Sequence, residues 1–205
     1  RVMNQKGQQG WIFGKFLAPF DVSKYAADES TEAWSFEEHF SDWADSNTPK
    51  NWKHLEGTDP SAIQFFEVGT KKIAKLSSQG NPCGLYRRAA GARAFSIHAR
   101  GRFVSGDESM LFAYSWGSGG YISLMISQEG IDVLGRKLPL STNQWHDYTI
   151  ASDDGKFARV LVDGELVLNK IPPKKGNEFA HPGLYCLAAK PGAKSTIEME
   201  YVKFR

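Results

Sequence analysis

Hydrophobic residues in this chain recur at every second position rather than every third or fourth. From Phe95 to Phe103, Phe95, Ile97, Ala99 and Phe103 share one parity, and Ser96, His98, Arg100 and Arg102 share the other. Successive side chains point to opposite faces of a strand, so this spacing predicts a half-buried β-strand. Tyr121 to Ser127 repeats it, with Ile122, Leu124 and Ile126 set against Tyr121, Ser123, Met125 and Ser127. Met110 to Trp116 is apolar on both parities. Further runs follow at Trp145 to Ile150, Phe157 to Val162, Glu165 to Leu168, Gly183 to Ala188 and Thr196 to Phe204. Turn signals separate them at 105–107, 117–120, 128–130, 153–155 and 163–164, all containing glycine. Short strands broken by turns at regular spacing predict an all-β fold, a two-sheet antiparallel jelly-roll β-sandwich.

The start of the chain has a different texture. Gly10 to Leu17 is strand-like and stops at Pro19, and Asp21 to Ala33 is polar and acidic. We expect residues 1–35 to be a tail and linker from a preceding domain, and 36–205 to be the jelly roll. Any export signal is expected upstream of Arg1. Residues 41–60 hold Ser, Asp, Asn, Pro and Gly around Trp43 and Trp52, as in a long loop or two short edge strands.

Composition narrows the function classes. A formal charge of +2 is too balanced for a general nucleic-acid binder. No stretch approaches the roughly 20 apolar residues of a membrane helix. Aromatic residues make up 13% of the chain, which suits both a β core and a sugar-stacking surface. The two cysteines form no Cys-x-x-Cys pair, so a structural zinc site is not expected. Cys83 and Cys186 sit in similar contexts, Cys-Gly-Leu-Tyr and Gly-Leu-Tyr-Cys. Two readings stay open: a disulfide if their strands are neighbours, or two buried thiols.

Several segments together resemble the concanavalin A-like lectin/glucanase superfamily, in particular its laminin-G-like and sialidase-associated modules. Phe36-Glu-Glu-His-Phe-Ser-Asp-Trp43 resembles the first strand of that family. Trp145-His-Asp-Tyr-Thr-Ile150 resembles its Trp-His strand. Ala158 to Val167 resembles its hairpin with an Asp-Gly turn, and Gly183-Leu-Tyr185 and Ile197 to Phe204 its last two strands. Asn4 to Phe13 is similar to the closing strand of sialidase-like propellers. The resemblance covers about four-fifths of the chain and implies the jelly-roll fold. It also implies glycan binding on a concave sheet face, in a secreted or periplasmic setting. The Trp-His and Asp-Gly signals are expected to serve packing and turn geometry.

The candidate ligand residues follow from charge and aromaticity. Arg87, Arg88, Arg93, His98, Arg100 and Arg102 crowd one short stretch, and guanidinium forks bind carboxylate and sulfate bidentately. On a binding face, Arg87, His98, Arg100 and Arg102 would suit an anionic glycan. The plain alternative is an outer sheet face whose arginines pair with acids on adjacent strands. Tyr114, Trp116 and Tyr121 flank the 117–120 turn, and Trp43 and Trp52 lie among polar neighbours, so all are stacking candidates. The first expectation is a non-catalytic carbohydrate-binding or accessory module of a larger glycan-degrading protein.

The second expectation is a polysaccharide lyase, with Arg100 neutralising a uronate and His98 and Tyr121 as base and acid. The motifs of jelly-roll alginate lyases are absent. A glycoside hydrolase would need two carboxylates roughly 5–5.5 Å apart for retention. The nearest pairs are Glu198/Glu200, expected to face solvent opposite Ile197, Met199 and Tyr201, and Asp163/Glu165, across a turn. The third expectation is a structural module packed on another domain. An open groove holding His98, Arg100 and Tyr121 favours the first two, and a face salt-bridged across strands favours the third. No cofactor is expected. Relatives in the family bind calcium between first and last strands, where Glu37, Glu38 and Asp42 would meet Glu198 or Glu200.

Overall fold

In a computed structural model, the described residues are 2–3, 9–10, 36–39, 52–80, 83–88, 94–115, 120–176, 183–186, 192 and 194–205. Side chains are described for all of these except 2–3, 9–10, 36–39, 60 and 183–186. The strands among these residues run in order: β1 (Val2–Met3), β2 (Gln9–Gly10), β3 (Phe36–His39), β4 (Lys53–His54), β5 (Ile63–Val68), β6 (Lys71–Gln79), β7 (Leu85–Arg88), β8 (Phe95–Gly106), β9 (Glu108–Ser115), β10 (Tyr121–Ser127), β11 (Gly130–Val133), β12 (Arg136–Pro139), β13 (His146–Ser152), β14 (Ala158–Val162), β15 (Glu165–Ile171), β16 (Gly183–Cys186) and β17 (Lys194–Phe204). A 3-10 turn covers Pro60–Ala62. No helix among the described residues is long and apolar enough to cross a membrane.

The chain divides into two compact units, Arg1–Ala33 and Trp34–Arg205. In the first, β1 and β2 pair antiparallel. In the second, two antiparallel sheets stack. One has the order β15-β14-β13-β8-β17-β6-β5, with β3 pairing the C-terminal half of β17. The other has the order β12-β11-β10-β9-β16-β7-β4. The chain crosses repeatedly from one sheet to the other, as in a jelly roll.

The predicted parities explain the stacking. Ile97, Ala99 and Phe103 from β8, and Ile197, Met199, Val202 and Phe204 from β17, meet Ile122, Leu124 and Ile126 from β10 in one core. Tyr114 of β9 bridges the layers, its ring centroid 4.7 Å from Phe95 and 4.9 Å from Phe204. Such tilted aromatic contacts add to area burial. A bulge in the β9–β10 ladder lets both Leu111 and Phe112 enter the core.

The corner between β8 and β9 depends on Gly106, which has φ +106°. A Cβ there would lie 2.0 Å from the Lys194 carbonyl oxygen. The same carbonyl accepts the Asp107 N–H at 2.9 Å. Only glycine lets the last strand approach so closely while the chain turns from one sheet into the other.

A second bulge corrects one expected orientation. Between Met199 and Tyr201 the β8–β17 register shifts, so Tyr201 lies opposite Arg100 and not on the inward parity of Ile197 and Met199. Its hydroxyl therefore reaches the outer face.

The cysteines do not pair. Cys83 is a free, buried thiol, and burial pushes its pKa up to about 11. The strands are neighbours, but the register sets Cys186 opposite Leu85, two residues past Cys83.

Candidate functional site

The first candidate surface is the outer face of the sheet containing β8. Alternation brings His98, Arg100 and Arg102 to it together, and the pairing explains their partners. Asp147 of β13 lies opposite Arg100, Thr149 opposite His98, and Glu198 of β17 opposite Arg102. Arg100 Nη1 donates to Asp147 Oδ2 at 2.5 Å, and its Nε lies 3.2 Å from Glu200 Oε2. Lys71 Nζ approaches the other Glu200 oxygen at 2.7 Å. Arg102 closes on a single oxygen of Glu198 through Nε at 2.7 Å and Nη2 at 2.6 Å. The Arg102 guanidinium also sits 5.1 Å from the centroid of a Trp145 ring. The Tyr201 hydroxyl donates to Asp147 Oδ1 at 2.5 Å. Burial, reinforced by that carboxylate, holds the Tyr201 phenol well above its usual range.

The face is therefore cross-linked by ion pairs. The arginine forks already hold carboxylates, and the Glu198 and Glu200 carboxylates are held in return. Glu198 is buried rather than solvent-facing. The strand meeting on which a calcium site would depend exists, because β3 pairs with β17. Asp42 lies outside the described residues, however, and Glu198 and Glu200 are occupied by cations. Among the described residues no group of three or more His, Cys, Asp or Glu side chains is arranged to hold a metal.

The other expected ligand residues lie elsewhere. Tyr121 is on β10, in the opposite sheet from His98 and Arg100, and is 3% exposed. The trio of His98, Arg100 and Tyr121 is not assembled. Tyr114 is fully buried between the sheets, and Trp52 is 4% exposed, so both are core residues and not stacking platforms. Arg87 is half-buried on β7, again in the other sheet. Trp43, Trp116 and Arg93 lie outside the described residues.

Two motifs expected to be separate form one device. Asp163 and Gly164 make the two-residue β14–β15 turn, with φ +52° and +78°. The Asp163 carboxylate accepts the Asp147 backbone N–H at 2.9 Å and sits 2.6 Å from His146 Nδ1. His146 Nε2 lies 3.2 Å from the Ser141 carbonyl oxygen. Partial burial would raise the Asp163 pKa. The backbone and His146 hydrogen bonds, with the charges of His146 and Arg100, outweigh it and hold the carboxyl below 3.8.

The second candidate surface is a shallow cleft of about 240 Å³ on the sheet containing β10. Two adjacent rows of outward residues build it: Glu108, Ser127, Gly130 and Pro139, then Met125, Asp132 and Lys137. Glu129 lines its end. Carboxylates, an ammonium, a hydroxyl and an apolar Met125 floor thus converge on one site. Sequence reading missed it because β11 and β12 are four residues long and their turn is Leu134-Gly135, with Leu134 at φ +52°. Leucine is not a usual residue for that conformation. Asp132 supports the turn by accepting the Gly135 N–H at 2.6 Å.

The fold matches known structures over most of the chain. The carbohydrate esterase of the Shiga toxin-encoding bacteriophage phi24B superposes with a TM-score of 0.62, over 84% of this chain and 97% of that one, at 13% identity. The alginate lyase AlgAT5 of polysaccharide lyase family 7 gives 0.54, over 76% and 94%, at 11% identity. The fold shared is a two-sheet jelly-roll β-sandwich. The receptor-binding domain of botulinum neurotoxin type G gives 0.52 at 14% identity; 75% of this chain covers 42% of that one. At such identities the likeness is one of fold. No protein-family model matches the sequence, and no curated protein matches it significantly.

Proposed function

We propose that the jelly roll is a non-catalytic glycan-binding module and that its site is the cleft built by β9–β12. The observation that carries this reading is the convergence of Glu108, Asp132, Lys137 and Met125 in one open depression. Sugar hydroxyls donate to carboxylates and accept from ammonium groups, while the apolar sugar face rests on an apolar floor. At about 240 Å³ the cleft is smaller than the roughly 300–1,000 Å³ of drug-sized ligand pockets, so it suits one residue of a longer chain. The jelly-roll fold it shares with a carbohydrate esterase and an alginate lyase is in keeping with this. In a larger secreted glycan-degrading protein, such a module holds polymer near a catalytic domain and raises its local concentration.

Lyase chemistry through His98, Arg100 and Tyr121 lacks support, because these residues belong to two different sheets. A second reading is favoured by the ion-paired face: a structural role in which that face packs against another domain. Retention of the chain in gels containing neutral polysaccharides separates the two. The glycan reading expects retention that the pair Glu108→Ala and Lys137→Ala removes. Equal mobility of both proteins, with and without polymer, would leave only the structural role.

A further inference from the structure

Beside the cleft lies a group of cations of which the reading above uses only Lys137. Arg136 and Lys137 are exposed on β12, and Lys170, Lys174 and Lys175 are exposed where the chain leaves β15. Their proximity follows from the contacts between β12, β15 and β10. Arg136 Nη1 donates to the Asn169 carbonyl at 3.5 Å, next to Lys170. The chain then crosses by Pro172 and Pro173 to β10, where Lys174 exchanges backbone hydrogen bonds of 2.9 and 3.0 Å with Tyr121. That pairing uses the same side of β10 that carries β11, since Leu124 lies opposite Val133. The Lys174 ammonium sits 5.5 Å from the Tyr121 ring centroid. Among the described residues, Arg136, Lys137, Lys170 and Lys175 enter no ion pair, unlike Arg100 and Arg102.

We propose that this edge is an anion-recognition ridge, reading carboxylate or sulfate groups on the polysaccharide whose sugar hydroxyls occupy the cleft. The proposal rests on the glycan reading above. Lys137 joins the two parts, because it lines the cleft and is one residue from Arg136, whose side chain takes the other parity of β12 and reaches the Asn169 carbonyl. Polysaccharide is favoured over nucleic acid because Glu108, Glu129 and Asp132 alongside can accept hydrogen bonds from the several hydroxyls of each sugar, donors that the deoxyribose-phosphate backbone of DNA lacks. A membrane surface is disfavoured because, among the described residues, the exposed large apolar side chains Val68 and Val104 lie on β5 and β8, and Phe157, which precedes the Ala158–Ile171 pair, is a lone aromatic rather than an apolar face.

The test compares the full chain with a variant carrying Arg136→Gln, Lys170→Asn, Lys174→Gln and Lys175→Gln. Asparagine suits position 170, where φ is +54°. Probes are polygalacturonate and its fully methyl-esterified neutral form, with duplex DNA and phosphatidylcholine–phosphatidylserine vesicles as controls. The native chain should bind polygalacturonate more tightly than the ester, and less so as salt rises. The variant should lose about tenfold on polygalacturonate and nothing on the ester. Equal binding of polygalacturonate by both proteins overturns the ridge and leaves the glycan module standing, as does native binding to the ester alone. Native binding to neither polymer overturns both. DNA or vesicles bound as tightly as polygalacturonate, and weakened equally in the variant, overturn the choice of polysaccharide.

Discussion

Removing the Arg100 guanidinium would leave Asp147 and Glu200 without the charge that lies between them, while Tyr201 and Lys71 keep their own contacts. The loss of a half-buried pair should cost about 1–2 kcal/mol in chemical denaturation of Arg100→Ala, with glycan retention unchanged. Loss of retention at full stability would return the ligand site to this face. Asp163 makes a pH-dependent contribution. Its carboxyl is lowered in the folded state, so the stabilisation is complete above pH 3.8 and is lost as pH falls through the folded value. Asp163→Asn keeps a residue that accepts the left-handed turn. Its melting temperature should fall below the native value near neutral pH and converge with it in acid. A gap that persists in acid would assign the effect to the turn. At this scale the sequence located the charges and gave their ion-paired role as one of two readings, and the structure shows the pairs. Alternation brought His98, Arg100 and Arg102 to one face, while the acidic partners of the two arginines are 47 to 100 positions away in the chain and invisible to local pattern. Tyr114 and Tyr121 flank one turn, yet a strand buried on its inner face takes the first into the core.

Strands with one apolar face were legible, and β8, β10, β13 and β17 lie close to where alternation predicts them. The elements that escaped are short or mixed. In β6, Ala74 and Leu76 face the core while Ile73 is buried on the opposite parity, which blurs the period. In β11–β12 the turn lacks the Asn-Gly or Asp-Gly pair that marks such hairpins. The cleft was invisible for the same reason, since two of its rims are those strands. Gly106 connects this scale to the site, because the corner it permits leads directly to Glu108 on the cleft wall. Gly106→Ala should cost at least about 2 kcal/mol, since a Cβ meets the Lys194 carbonyl and φ is strained. It should also weaken glycan retention in the molecules that remain folded. A melting curve identical to that of the native chain would show that the corner can relax.

Among the described side chains, the buried hydrophobic cluster runs from Trp52 to Phe204, within the unit Trp34–Arg205. A chain starting at Trp34 should therefore fold cooperatively, with a melting temperature within a few degrees of the full chain. A non-cooperative transition would mean that residues before Trp34 complete the fold. The fold class was legible because alternation and turns are local signals repeated many times, whereas a binding surface is assembled from distant strands and has no local signature. The central claim, that the module binds glycan through the β9–β12 cleft and not through the arginine face, is tested most directly by retention in neutral polysaccharide gels. Native chain and Arg100→Ala should be retarded equally, and Glu108→Ala with Lys137→Ala should run as it does without polymer. Retardation that survives the cleft pair and disappears with Arg100→Ala would contradict the account.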